Sequence, residues 1–151
     1  MVKSTFGKGS FPGESEQNVI KKYLTRLKDR NYIVKAEPQK NGGYWFNFYQ
    51  NKLTKNYIAR YKKEFSLIIH GSDSQKMDFF AIPYSDLEDF LTPWFVYIDE
   101  KTDVRRWIFN INRDHILQTR GYELNVGPYY GNLSYVFDLP EEIEYKPTKL
   151  F

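Results

Sequence analysis

The apolar residues near the start of the chain follow a helical repeat. Five of them recur at intervals of three and four residues before Arg30: Val19, Ile20, Tyr23, Leu24 and Leu27. This spacing places all five on one face of a helix. Ser15 precedes them and is a good helix N-cap residue. The pattern predicts a core helix from about Ser15 to about Arg30 with a basic outer face.

Short apolar or alternating runs, separated by turn residues, follow the helix and predict strands. They lie at 32–36, 44–49, 65–70, 77–82, 94–98, 104–111, 115–119, 122–126 and 135–139. Turn residues at 38–43 indicate that the first two form a hairpin. Ser85 is placed to cap a short helix over 86–91. The segment 52–63 fits either a helix or a strand.

This order of elements predicts an α+β fold, because the crossover repeat of a doubly wound parallel sheet is missing. We expect a mostly antiparallel, strongly curved sheet or partly open barrel, with an N-terminal helix and one inserted short helix. The predicted organisation is a flexible leader at 1–13, a single domain at 14–139 and a tail at 140–151.

Composition removes several function classes. The 151 residues suit one domain, and the absence of Cys excludes a disulfide scaffold, a Cys-ligated zinc site and a cysteine nucleophile. No signal-peptide stretch opens the chain, and no run approaches 18 apolar residues, so we expect no membrane span. We therefore expect a cytoplasmic protein.

Charge is distributed unevenly along the chain. Residues 1–70 carry 14 Lys and Arg against 5 Asp and Glu, whereas residues 71–151 carry 8 against 14. Such asymmetry is typical of a domain with one face for a polyanion, although the two halves could also neutralise each other in the fold.

Aromatic residues are interleaved with these cations. Alternation in 44–49 places Trp45, Asn47 and Tyr49 on one face of a strand, opposite Phe46 and Phe48. Phosphates need cations and unstacked bases need flat rings, so the pattern predicts a nucleic-acid surface. Its candidate residues are Lys21, Lys22, Arg26, Lys28, Trp45, Asn47, Tyr49, Lys55, Arg60, Lys62, Lys63, Arg105 and Arg106. For the strand that contains Arg105 and Arg106, a structural role with Trp107 in the core is the alternative.

A metal-dependent nuclease is the enzyme alternative. Asp78, followed at the end of a later strand by Asp99 and Lys101, resembles the metal-binding pattern of the PD-(D/E)xK nucleases. That resemblance implies Mg²⁺ held by the carboxylates, with the lysine positioning water. Residues 99–103 also fit a polar hairpin turn. His70 and His115 are not spaced as metal ligands and are interpreted as structural. The main hypothesis is a binding module, and it assigns no catalytic residue, metal or cofactor.

Three stretches together resemble domains attached to prokaryotic restriction endonucleases, including those that recognise modified DNA. They are 13–16, 65–71 continued by 78–84, and 106–111. The resemblance implies recognition of double-stranded DNA in a defence system, beside a fused or associated nuclease or ATPase domain. If the DNA is modified, a flipped base could be held between rings such as Trp45 and Tyr49. An RNA-binding or protein-interaction domain remains the further alternative.

Overall fold

The strands of this protein form two separate sheets in a computed structural model that describes residues 17–141 and 143. The strands of the described residues, numbered along the chain, are β1 (Asn31–Lys35), β2 (Glu37–Pro38), β3 (Tyr44–Tyr49), β4 (Ser66–His70), β5 (Phe79–Pro83), β6 (Tyr97–Ile98), β7 (Arg105–Ile111), β8 (Ile116–Thr119) and β9 (Tyr122–Asn125).

The helices are short. They are α1 (Val19–Lys22), α2 (Leu24–Leu27), α3 (residues 50–61) and α4 (Tyr84–Leu87). Within α3, the α-helical turns Gln50–Lys52 and Ala59–Tyr61 flank a π-helical stretch, Leu53–Ile58. Further 3₁₀ turns are Glu88–Phe90, Pro93–Phe95, Gly127–Tyr129 and Leu133–Tyr135. Among the helices of the described ranges, none has the length and apolar character that crossing a bilayer requires.

The smaller sheet has the order β1-β4-β5, with β1 parallel to β4 and β4 antiparallel to β5. The larger sheet is antiparallel and has the order β2-β3-β7-β8-β9, with β6 also paired to β7. The fold is therefore α+β, as the element order predicts. Neither sheet is closed, so a partly open barrel is not confirmed. The predicted hairpin is wrong, because β1 pairs with β4 and only the two-residue β2 pairs back onto β3.

Two apolar clusters fix the order of the layers. One face of the smaller sheet, with Ile68 and Phe79, packs against Ile20 and Leu27 of α1 and α2. The opposite face packs against the inner face of the larger sheet. That second cluster includes Leu67, Ile69, Phe80, Phe46, Phe48, Trp107 and Phe109. The helices α1 and α2 and the larger sheet therefore lie on opposite sides of the smaller sheet.

The N-terminal helix is shorter than its apolar repeat predicts. Its first described turn begins after Asn18, whose Oδ1 accepts a hydrogen bond of 3.0 Å from the Ile20 N–H. The helix is interrupted at Tyr23, where the backbone has φ −110° and ψ 24°. The predicted cap at Ser15 and the leader at 1–13 lie outside the described residues, as does most of the tail.

Three other predicted elements differ from the structure. The run at 94–98 is a strand only from Tyr97, because Pro93 opens a 3₁₀ turn that ends at Phe95. The run at 135–139 is not a strand, and the Phe137 N–H donates instead to Asn31 Oδ1 at 3.1 Å. The inserted helix begins at Tyr84 without a capping side chain, so Ser85 is inside it.

Candidate nucleic-acid interface

Strand alternation gives the larger sheet one buried and one open face. On β3, Phe46 and Phe48 are 2% and 0% exposed, while Trp45 and Asn47 are half-buried and Tyr49 is exposed. This assignment of the two faces agrees with the sequence pattern. The open side, called the outer face below, consists of Trp45, Asn47 and Tyr49 on β3, Arg106, Ile108 and Asn110 on β7, and their neighbours Tyr97, Ile116, Gln118 and Glu123.

The strand β7 contributes both core and surface residues. Trp107 is 2% exposed, and its indole N–H donates to the Thr92 carbonyl at 2.9 Å. The structural role that the sequence allowed for this strand is therefore confirmed for Trp107. Arg106, its neighbour, points to the outer face.

Arg106 lies between two tyrosines on the outer face. It is the register partner of Tyr49 on β3 and of Tyr97 on β6. Neighbouring strands are about 4.8 Å apart, so these three side chains form a continuous row across the sheet. The guanidinium of Arg120 lies 4.1 Å from the centre of the Tyr97 ring, and its Nη2 donates to the Val96 carbonyl at 3.0 Å. We call Tyr49, Arg106, Tyr97 and Arg120 the tyrosine–arginine row.

The environment of Arg106 differs from that of the other half-buried cation. Of the lysines and arginines in the described ranges, two are half-buried, Arg30 and Arg106. Arg30 has carboxylates of Glu64 and Asp138 at 3.4 and 3.9 Å. The Arg106 side chain has no hydrogen bond or ion pair with any described residue. A half-buried guanidinium with unused donors is suited to an external anion.

A second row crosses the sheet at Trp45, whose partner on β7 is Asn110. The Asn110 amide donates to Gln118 Oε1 at 2.9 Å, and the Gln118 amide donates to Glu123 Oε2 at 2.9 Å. The side-chain amides of Asn110 and Gln118 therefore both have hydrogen-bond acceptors within the sheet. The amide of Asn47, between Trp45 and Tyr49, has no hydrogen bond with the described residues.

Trp45 and Tyr49 lie on the same face of β3, with Asn47 between them. They are four residues apart on one face of an extended strand, a separation of about 13 Å. Two rings this far apart cannot enclose a single flipped base between them. Each ring instead provides its own position for stacking.

An open groove of about 770 Å³ continues from the tyrosine–arginine row between the start of α3 and the start of β7. Its walls include Tyr49, Lys55 and Arg105. One carboxylate, that of Asp103, also lines it and lies 3.5 Å from Arg105 Nη2. The groove therefore brings predicted cations from two distant parts of the sequence next to an exposed ring.

Most other predicted cations lie elsewhere. Lys21, Lys22, Arg26 and Lys28 are on or just after α1 and α2, on the opposite side of the smaller sheet from the outer face. Lys21 Nζ and Lys35 Nζ both contact Asp73 Oδ2, at 2.8 and 3.0 Å. The residues Arg60, Lys62 and Lys63 are at the end of α3, where Lys63 pairs with Glu88 at 3.0 Å. The predicted cations thus do not form a single patch.

The residues of the nuclease alternative have structural hydrogen bonds. Asp78 is 4% exposed, and its Oδ1 accepts from the Tyr44 and Tyr130 hydroxyls at 2.6 and 3.0 Å. Its Oδ2 accepts from the Ser72 N–H at 2.7 Å. Asp99 Oδ1 accepts from the Lys101 N–H at 2.9 Å, which closes the turn before β7. Among the residues that the structure describes, no group of three or more acidic or histidine side chains could hold a metal ion.

Burial and the Asp78 carboxylate together raise the pKa of Tyr44, so its hydroxyl remains a donor. Burial, followed by the charge of Asp78, also raises the pKa of Tyr130. His115 packs against Phe80 and Tyr130, with ring centres 5.1 and 4.7 Å apart. Both contacts fit a structural role for this histidine.

We expect the Gly71→Ala substitution to destabilise the protein by about 2 kcal/mol through overpacking beside Asp78. A methyl group at this position would clash with Asp78 Oδ2 and would lie 2.8 Å from Tyr44 Cε1. Urea denaturation measures the change. The matched variant is Gly121→Ala, where no atom lies within 4 Å and the cost comes from a φ of +82° alone. A loss for Gly71→Ala no larger than that for Gly121→Ala would contradict the clash.

Two residues of the row, Tyr97 and Arg120, were not predicted from the sequence. Arg120 and Gly121 both have positive φ, 46° and 82°, and form the two-residue turn between β8 and β9. Turns of this type favour Asn and Gly, so arginine gives no signal there. Tyr97 reaches the row only through its register with Arg106, which the sequence pattern does not contain.

No protein-family model, curated protein or solved structure matches this chain.

Proposed function

We propose that this protein is a DNA-binding module that uses the outer face of the larger sheet. The proposal rests on the environment of Arg106. Its side chain is half-buried between Tyr49 and Tyr97 and forms no ion pair with a carboxylate of the described residues. A guanidinium binds a phosphate through two parallel hydrogen bonds, and charge-assisted bonds of this kind are strong. A phosphate group would supply the charge partner that Arg106 lacks.

The rings on the same face supply the second element of recognition. Tyr49 is 45% exposed and Trp45 is half-buried on the same side of β3. Stacking of a base on an exposed aromatic ring contributes about 1–3 kcal/mol and does not depend on base identity. Arg106 is the register partner of Tyr49, and Lys55 and Arg105 line the groove beside Tyr49, so cations surround the position of a base stacked on that ring.

We propose DNA, and not RNA, as the ligand because the sequence resembles domains of prokaryotic restriction endonucleases. The proposal includes a cytoplasmic role in a defence protein, beside a separate nuclease or ATPase domain. Since the carboxylates of Asp78 and Asp99 accept structural hydrogen bonds, no catalytic residue is assigned. A modified base would stack on one ring at a time, beside the free amide of Asn47.

The proposal is tested by fluorescence anisotropy with labelled DNA, at salt concentrations from 50 to 300 mM. We expect Arg106→Gln to weaken binding by about tenfold and to reduce the salt slope by about 1, as for the loss of one phosphate contact. The matched control is Lys22→Gln, an exposed cation on the helical side, which should change affinity less than twofold.

Two results would contradict this function. One is an absence of DNA binding at 50 mM salt. The other is equal weakening by Arg106→Gln and Lys22→Gln, which would show a general charge effect. Binding of a protein ligand without salt dependence would favour the protein-interaction alternative.

A further inference from the structure

The width of the outer face restricts the form of DNA that it can contact. Arg106 is on β7, which has paired strands on both sides, and the tyrosine–arginine row spans three strands. The major groove of B-DNA is about 12 Å wide and admits one helix or a two-stranded ribbon, and the minor groove is about half as wide. The centre of this sheet therefore cannot reach base edges inside a duplex groove.

A duplex also hides the surfaces that the rings would use. Bases in a helix are stacked on each other, so a broad protein face meets only phosphates. Trp45 and Tyr49 would then have no partner for stacking. A single strand presents base faces and phosphates together, which matches the rings and the unpaired guanidinium of this face.

We propose that the outer face binds single-stranded DNA; this inference rests on the proposed function and specifies its ligand. Trp45 and Tyr49 each stack on a base, and Arg106, the register partner of Tyr49, binds a phosphate next to the base on Tyr49. The side-chain amide of Asn47 lies between the two rings and is free to hydrogen-bond a base edge. Arg120 contacts the Tyr97 ring and the Val96 carbonyl, and these contacts hold Tyr97 in place beside Arg106, on the side away from Tyr49.

The groove beside Tyr49 extends the path of the strand. Lys55 and Arg105 on its walls attract phosphates, whereas Asp103 offsets part of this charge. On the other side of the face, Glu37 is the register partner of Trp45 and Glu123 accepts from Gln118. Charge complementarity therefore places the phosphates of the strand at Arg106, Arg105 and Lys55, beside Tyr49, and leaves the Trp45 end of the face, where the two glutamates lie, to a base alone.

The test compares one labelled single-stranded oligonucleotide with the same oligonucleotide annealed to its complement, at 50 mM salt. We expect the single strand to bind at least about tenfold more tightly. Trp45→Leu and Tyr49→Leu should each weaken its binding by about tenfold, as expected for one stacked base, and should change duplex binding less than twofold. Trp94→Leu is the matched control, because Trp94 is 72% exposed and lies outside the sheets.

A second readout does not depend on the stability of the leucine variants. In Trp94→Phe protein the two remaining indoles are Trp45, half-buried on the outer face, and Trp107, 2% exposed in the core. Single-stranded DNA should quench the fluorescence of Trp45 in a saturable way. Saturated binding without quenching would overturn the assignment of Trp45.

The outcomes separate this inference from the proposed function. Duplex binding as tight as single-strand binding, with no effect of either leucine variant, would overturn the single-strand assignment and leave DNA binding in place. An absence of binding to both forms would overturn both proposals.

Discussion

Replacing Asp78 by alanine is expected to lower the free energy of unfolding by about 3–5 kcal/mol, which is large for a single residue. The carboxylate is 4% exposed and accepts hydrogen bonds from the Tyr44 hydroxyl, the Tyr130 hydroxyl and the Ser72 N–H. Alanine would leave these three donors without their acceptor and would open a polar cavity between the two sheets. Urea denaturation monitored by tryptophan fluorescence gives the value.

Two control variants separate the contributions of the hydrogen bonds and of the side-chain volume at Asp78 to the free energy of unfolding. Tyr130→Phe removes one donor at the surface side and should cost about 1 kcal/mol. Asp78→Asn keeps the size of the side chain but places an amide opposite donors, so its cost should fall between those of Tyr130→Phe and Asp78→Ala. A loss below 1 kcal/mol for Asp78→Ala would show that the carboxylate does not connect the sheets.

Raising the pH from 10 to 12 is expected to remove about 2 kcal/mol of stability through Tyr32 alone. Burial raises the pKa of Tyr32 to about 12, and its side chain is 1% exposed. In the unfolded chain the phenol loses its proton near pH 10, while the folded protein still holds it. The stabilisation is therefore complete below pH 10 and is lost as the pH rises through 12. Burial also raises the pKa values of Tyr44, Tyr57, Tyr84, Tyr129 and Tyr130.

Tyrosinate absorbance at 295 nm, recorded with near-ultraviolet circular dichroism, tests this alkaline transition. Ionisation of the buried tyrosines should coincide with the loss of tertiary structure. Tyr32→Phe removes the acceptor of the Tyr49 N–H, so it should be less stable at neutral pH but should lose less stability between pH 10 and 12. Tyr122→Phe is the control, since Tyr122 is 53% exposed. Equal alkaline losses in both variants would contradict a role for Tyr32.

The faces of the central strands could be predicted because each strand has one side against the core. Alternation in 44–49 separates Phe46 and Phe48 from Trp45 and Tyr49, and the structure has the same division. The helix at 19–27 was predictable for the same reason, although its interruption at Tyr23 was not.

The composition of the interface could not be predicted, since it depends on pairing between distant segments. Arg106 meets Tyr49 across 57 positions only because β3 and β7 pair in this register. Likewise, the pairing of Lys21 with Asp73, separated by 52 positions, removes a predicted cation from the free surface. Local patterns of charge and hydrophobicity contain neither relationship.

The extended segment 31–38 belongs to both sheets, because β1 joins the smaller sheet and β2 joins the larger one after the single buried residue Ala36. Because only one residue connects β1 to β2, neither sheet can shift far without moving the other. Because the two sheets also share one apolar core, we expect them to unfold as a single cooperative unit, so the surface that we assign to DNA depends on the integrity of the whole described fold.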